Sequence, residues 1–117
     1  GDQQFQALPS LEFQNLKVGI LINDRSASAA EVFTAALKEH GRAWVMGEKS
    51  YGKGVVQKLF PLSNGAALQM TVSHYYTPSG RMIEGVGIAP NQVYPMPHEL
   101  KDESYVEHVA EILMNRR

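Results

Sequence analysis

Ser28 and Lys53 are the side chains of this sequence whose types and neighbours could carry chemistry. Ser28 closes Ser26–Ala27–Ser28 and begins Ser28–Ala29–Ala30–Glu31, where a compact apolar run gives way to a helical pattern. A hydroxyl at such a junction lies at the positive end of a helix dipole. The neighbouring backbone N–H groups lack intrahelical partners and can hold an oxyanion as the hydroxyl attacks a carbonyl. Glu31 offers an ordinary reading of the same residues, because Ser and Glu at this spacing form a capping box. On these residues alone both readings stand.

Lys53 belongs to GEKSYGKGVVQ, Gly47 to Gln57. Gly47, Gly52 and Lys53 match part of a phosphate-binding loop. Gly54, however, stands where Ser or Thr should hold magnesium, and the β-branched residues that follow predict a strand instead of a phosphate-binding helix. Nucleotide binding is therefore rejected. Gly52 and Gly54 allow the backbone to bend tightly beside its neighbours and to carry the amine into a desolvated pocket, where the neutral form is favoured. A neutral amine can take a proton from a Ser hydroxyl. In an extended segment Lys53, Val55 and Gln57 share one side, so the Gln57 amide is placed to orient the amine. A solvated surface lysine is the plain alternative.

These groups need a scaffold, and the hydrophobic pattern supplies one. Residues 17–23 (KVGILIN) read as a short buried strand ending in polar residues. From Ser28 to Glu39, Ala29, Val32, Phe33, Ala36 and Leu37 recur at helical spacing, with Gly41 as the stop. Residues 43–46 predict a second strand, 47–54 a glycine-rich loop, and 55–60 and 67–76 a hairpin around Asn64–Gly65. Residues 77–80 (TPSG) form a turn, and 81–97 an irregular stretch with at most short strands. Val106, Val109, Ala110 and Leu113 fall on one face of a final helix, with Asp102 and Glu103 at its start and Arg116 and Arg117 at its end, an order that suits the helix dipole. The result is a mixed α/β domain in which strands outnumber helices.

With 117 residues, 44% hydrophobic and 20% charged, the chain can bury one core. Eleven basic against twelve acidic residues leave a net charge of −1, which gives no reason to expect nucleic acid or an anionic membrane as partner. The absence of cysteine removes disulfides, thiolate zinc sites and cysteine nucleophiles. His40 suits a helix end, His74 lies in a strand, and His98 and His108 fall beyond the motifs. None shows metal-ligand spacing backed by carboxylates, so neither metal nor cofactor is expected. Residues 1–15 read as a lead-in to a longer chain.

Together the motifs resemble those of carboxyl-terminal processing, or tail-specific, peptidases. They comprise a buried strand, SAS-A-x-E opening a helix, HGRA before a strand, GE-x-x-YGKG-x-x-Q, and YYTPSGR-x-I-x-G-x-GI-x-P. The resemblance covers about Lys17 to Val93. It implies Ser28 as nucleophile, Lys53 as base twenty-five residues later, Gln57 to position the base and Ala29 N–H as an oxyanion donor, with Glu31, Gly52 and Gly54 in support. Glu39 occupies a commonly acidic position, while Ala30 and Asn91 replace a frequent Ser and Asp.

The implied fold is the second half of a crotonase-like, or ClpP-like, core of β-β-α units, with residues 16–117 as part of the catalytic core. A second oxyanion Gly and a PDZ-like domain are expected upstream. The implied activity is hydrolysis near the C-terminus of protein substrates, in a periplasmic or other extracytoplasmic setting, with a homo-oligomer open. Two rivals are weighed: a non-catalytic binding or assembly module, and an acyl-thioester enzyme of the wider crotonase group.

Overall fold

The computed structural model describes residues 6, 15–95 and 103–116. Its apolar runs form β1 (Gly19–Ile22) and β2 (Trp44–Gly47), joined by α1 (Ala29–Glu39). β3 (Val55–Pro61) and β4 (Ala67–His74) form the expected hairpin, β5 is the short pair Gln92–Val93, and α2 is Glu103–Met114. The lead-in, His98, Asp102 and Arg117 lie outside the described residues, apart from Gln6 and Asn15.

β1, β2 and β5 make a parallel sheet in the order β1-β2-β5, with Ile20 opposite Val45 and Met46 opposite Gln92. Parallel neighbours require a crossover, and α1 provides the one between β1 and β2. Because side chains alternate along a strand, Ile20, Ile22 and Val45 face α1, where they pack with Val32, Ala35, Ile83 and Ile88. Met46 and Gly19 serve the other face. A Cβ on Gly19 would come within 2.9 Å of Leu113 Cδ2 and 3.2 Å of Met46 Cε, so α2 packs closely there.

Both expected helices are present, but neither buries its whole apolar face. α1 buries Glu31, Thr34 and Ala35, whereas Phe33 is 60% exposed and Ala29 is exposed. The inward stripe is displaced by a polar residue because the Glu31 carboxylate has four donors to receive, a need no apolar periodicity encodes. In α2, Val109 is buried and Leu113 half-buried, but Val106 and Ala110 face solvent. A narrow sheet edge covers only a narrow stripe.

β3 and β4 pair antiparallel, with Phe60 opposite Leu68 and Lys58 opposite Met70. A register shift at Val56/Gln57 leaves Val72 as the extra residue of a bulge in β4. Phe60, Leu68, Met70 and Val72 are all more than a third exposed.

Candidate active site

The turn after β1 is built from its own polar residues. Asn23 Oδ1 accepts the Arg25 N–H at 2.9 Å, and Ser26 Oγ accepts the Asn23 N–H at 3.0 Å. The chain then reaches Ser28 with φ 58° and ψ −119°. Among the described residues Ser28 is the one non-glycine residue with positive φ. Such a backbone costs about 1–3 kcal/mol and persists only where its surroundings enforce it. Strained strand-to-helix turns of this kind lift a nucleophile's hydroxyl clear of the backbone.

The first N–H groups of α1 are not equivalent. Ala30 donates to Ala27 O at 3.2 Å and Glu31 to Ser28 O at 3.0 Å, while the Ser28 N–H donates to Glu31 Oε2 at 2.9 Å. The Ala29 N–H has no partner among the described residues. The donor next to Ser28 is thus the one whose hydrogen-bonding capacity is left over.

Glu31 joins this turn to the Lys53 loop. Its side chain is 1% exposed. Oε1 accepts from Ser50 Oγ and from the Gly52 N–H, both at 2.6 Å, and Oε2 accepts the Lys53 N–H at 2.9 Å as well as that of Ser28. All four partners are neutral donors, which suits an acceptor-only carboxylate and offsets its desolvation. The Tyr51 N–H adds a bond to Ser26 O at 2.9 Å. The capping-box spacing pointed to Glu31, but its reach of more than twenty residues into the lysine loop had no local signal.

Other contacts fix the far side of the loop. Gly52 takes φ 91°, a left-handed conformation that favours glycine. Gly54 donates to Glu84 Oε2 at 2.8 Å, and a Cβ there would meet Ile83 Cβ at 2.6 Å and Glu84 N at 2.8 Å. The close backbone approach expected of these glycines is therefore present. Ser50, buried at 6% exposure, passes Glu31's anchoring onward by accepting the Ile88 N–H at 2.7 Å. Ser50 and Glu84 have no signal in the sequence, since a lone Ser or Glu in a loop carries no positional information.

Two expectations about the lysine differ from the observed arrangement. The Lys53 side chain is exposed instead of lying in a desolvated pocket, and no hydrogen bond joins it to Ser28 Oγ among the described residues. Gln57 Oε1 accepts from Gln69 Nε2, its neighbour across the hairpin. The structure brings the backbones of Ser28 and Lys53 together and leaves the amine free to turn. Glu39, at the other end of α1, accepts from Thr77 Oγ1 at 3.1 Å, from the Ser79 N–H at 3.3 Å and from Ser79 Oγ, so it clamps the TPSG turn. Those hydroxyls, Ser79's first, hold its carboxyl below its ordinary value of 4.5; burial opposes them, and the charge of Arg81 adds to them.

Residues 2–94 match the family model described as peptidase family S41. The chain belongs to peptidase family S41. Its curated relatives include a carboxy-terminal-processing protease of Bartonella bacilliformis, 46% identical over 86 residues that make up 74% of this chain and 20% of the relative. A probable CtpA-like serine protease of Staphylococcus haemolyticus is 43% identical over 75% of the chain and 18% of its own length. Among solved structures, a photosystem II D1 C-terminal processing protease superposes with a TM-score of 0.70 and 33% identity, over 85% of this chain and 25% of that one. The S41 chain thus spans about a fifth of the length of these curated relatives. Its mixed α/β architecture is similar to the matching quarter of that C-terminal processing protease.

Proposed function

We propose that Ser28 and Lys53 form the nucleophile and general base of a serine endopeptidase acting near the C-terminus of protein substrates. The observation that carries this reading is the shared anchor: both residues donate their backbone N–H to Glu31 Oε2. Ser28 Oγ attacks the scissile carbonyl as neutral Lys53 takes its proton. The Ala29 N–H meets the oxyanion, and collapse breaks the C–N bond and expels the amine, which receives from Lys53 the proton that Ser28 gave up. Water, deprotonated by Lys53, then attacks the acyl ester; Lys53 returns that proton to the departing Ser28 Oγ, and the acid released ionises in solvent. In this reading the bound peptide supplies the water exclusion that exposed Lys53 lacks, and Gln57 exchanges Gln69 for the amine.

The same reading takes the sheet and hairpin as the second half of a crotonase-like core and places the protein outside the cytoplasm. It leaves room for a PDZ-like regulatory domain and a homo-oligomer in the longer protein. A fluorophosphonate probe tests the chemistry: labelling should appear in wild type and vanish in Ser28→Ala. Absence of Ser28-dependent labelling in the intact protein would count against the peptidase assignment. A second reading, a binding or assembly module without cleavage, draws on the exposure of Lys53 and predicts that same silence.

A further inference from the structure

The opposite end of the parallel sheet carries a second feature that the proposed chemistry does not use. There β1 begins, α1 ends and α2 ends around a groove of about 380 Å³ lined by Lys17, Lys38, Arg42, Trp44, Leu113 and Arg116 among others. The eleven residues of α1 separate it from Ser28 by about 16 Å. Among the described residues no Asp or Glu lines it, in a chain whose net charge is −1.

The cations are already held in place. Lys17 Nζ donates to Met114 O at 3.2 Å and Arg116 O at 2.6 Å, and Lys38 Nζ donates to Ala89 O at 2.6 Å. The Arg116 guanidinium carbon lies 3.2 Å from the centroid of the Trp44 ring, while Trp44 Nε1 donates to Gln92 Oε1 at 3.1 Å. Carbonyl dipoles offset only part of a full positive charge. Lys38 retains two of its three donors, and a guanidinium stacked on an aromatic face keeps its N–H edge available. Arg42 donates to Leu16 O at 2.7 Å and has further interactions, so the charge available to a ligand rests with Lys17, Lys38 and Arg116.

We propose that this groove docks an acidic peptide segment, its carboxylates meeting Lys17, Lys38 and Arg116 and its apolar side chains meeting Trp44 and Leu113. Charge complementarity selects the sign of the partner. The interleaved apolar residues select a peptide over a compact oxyanion, because the cations come from three separate element ends. Ordering costs at the interface fall because Arg116 and both lysines are positioned beforehand.

Trp44 is the chain's only tryptophan and reports on this groove directly. A short peptide alternating Glu and Leu should change Trp44 emission saturably, and added salt should weaken the response. The Gln-for-Glu peptide should fail. The double variant Lys38→Gln/Arg116→Gln should bind about tenfold more weakly, while Lys38→Arg retains binding. Circular dichroism checks each fold; should the double variant unfold, Lys38→Gln alone should weaken binding about threefold. Ser28→Ala should bind as wild type does, which separates this proposal from the peptidase reading. Equal response to the Gln peptide, no response to the Glu peptide, unchanged affinity in the charge variants, or competition by inorganic pyrophosphate at comparable strength would each overturn it.

Discussion

Ser28 and Lys53 donate their backbone N–H groups to one oxygen atom, Glu31 Oε2, each at 2.9 Å. The two nitrogens therefore stand no more than twice that distance apart, although twenty-five residues separate them in the chain. A single buried carboxylate sets where both side chains start, and their rotamers decide how near the hydroxyl and the amine come.

Glu31→Gln should test that anchor. An amide offers one acceptor where two oxygens serve four donors, and its NH2 faces N–H groups that already donate. Buried donors left unpaired cost about 1–3 kcal/mol each, so a loss of at least about 2 kcal/mol is expected in chemical denaturation. Ser28-dependent labelling should fall with it. A variant of wild-type stability would show that the four bonds contribute little.

Ser28→Gly and Ser28→Ala should part company in stability while both abolish labelling. Glycine accepts φ 58° without strain and loses only a few tenths of a kcal/mol as an N-cap. A net gain of about 1 kcal/mol is expected, or roughly 4–8 °C in Tm. Alanine keeps the strain and gains nothing. Equal melting temperatures would argue that the turn is relaxed.

Gly54→Ala places a methyl group 2.6 Å from Ile83 Cβ and 2.8 Å from the Glu84 backbone. Neither neighbour can move without disturbing the core around Ile83. Destabilisation of about 1–3 kcal/mol and a displaced Lys53 loop should follow, read by thermal melting and by loss of probe labelling. Unchanged labelling would mean that the loop absorbs the methyl.

Glu39 gives a pH-dependent prediction. Its folded carboxyl titrates below 4.5, so its contribution is full above that pH and is lost as the pH falls through the lower folded value. Melting temperatures of wild type and Glu39→Gln should differ near neutrality and converge on acidification. A gap that persists in acid would assign Glu39 a role independent of its charge.

Local pattern determines some of this structure and distant contacts determine the rest, and only the former is legible in the sequence. The SASAAE turn, the hairpin at Asn64–Gly65 and the glycines around Lys53 were readable because cap chemistry, turn residues and backbone freedom act over a few positions. The burial of Glu31 in place of Phe33, and the part played by Ser50, depend on a loop some twenty residues away. The desolvation expected of Lys53 required neighbours that sequence could not place, and the described residues leave the amine in solvent.

The β3–β4 ribbon adds a dynamic consequence. Two strands with an uncovered apolar stripe are marginal in water, so the ladder from Lys58–Met70 to Pro61–Ala67 should open without the parallel sheet following. Its amide protons should exchange with solvent well before those of Val45 and Met46. The lysine loop lies between these two regimes, with a slow anchor at Glu31 and a fast lever beginning at Val55.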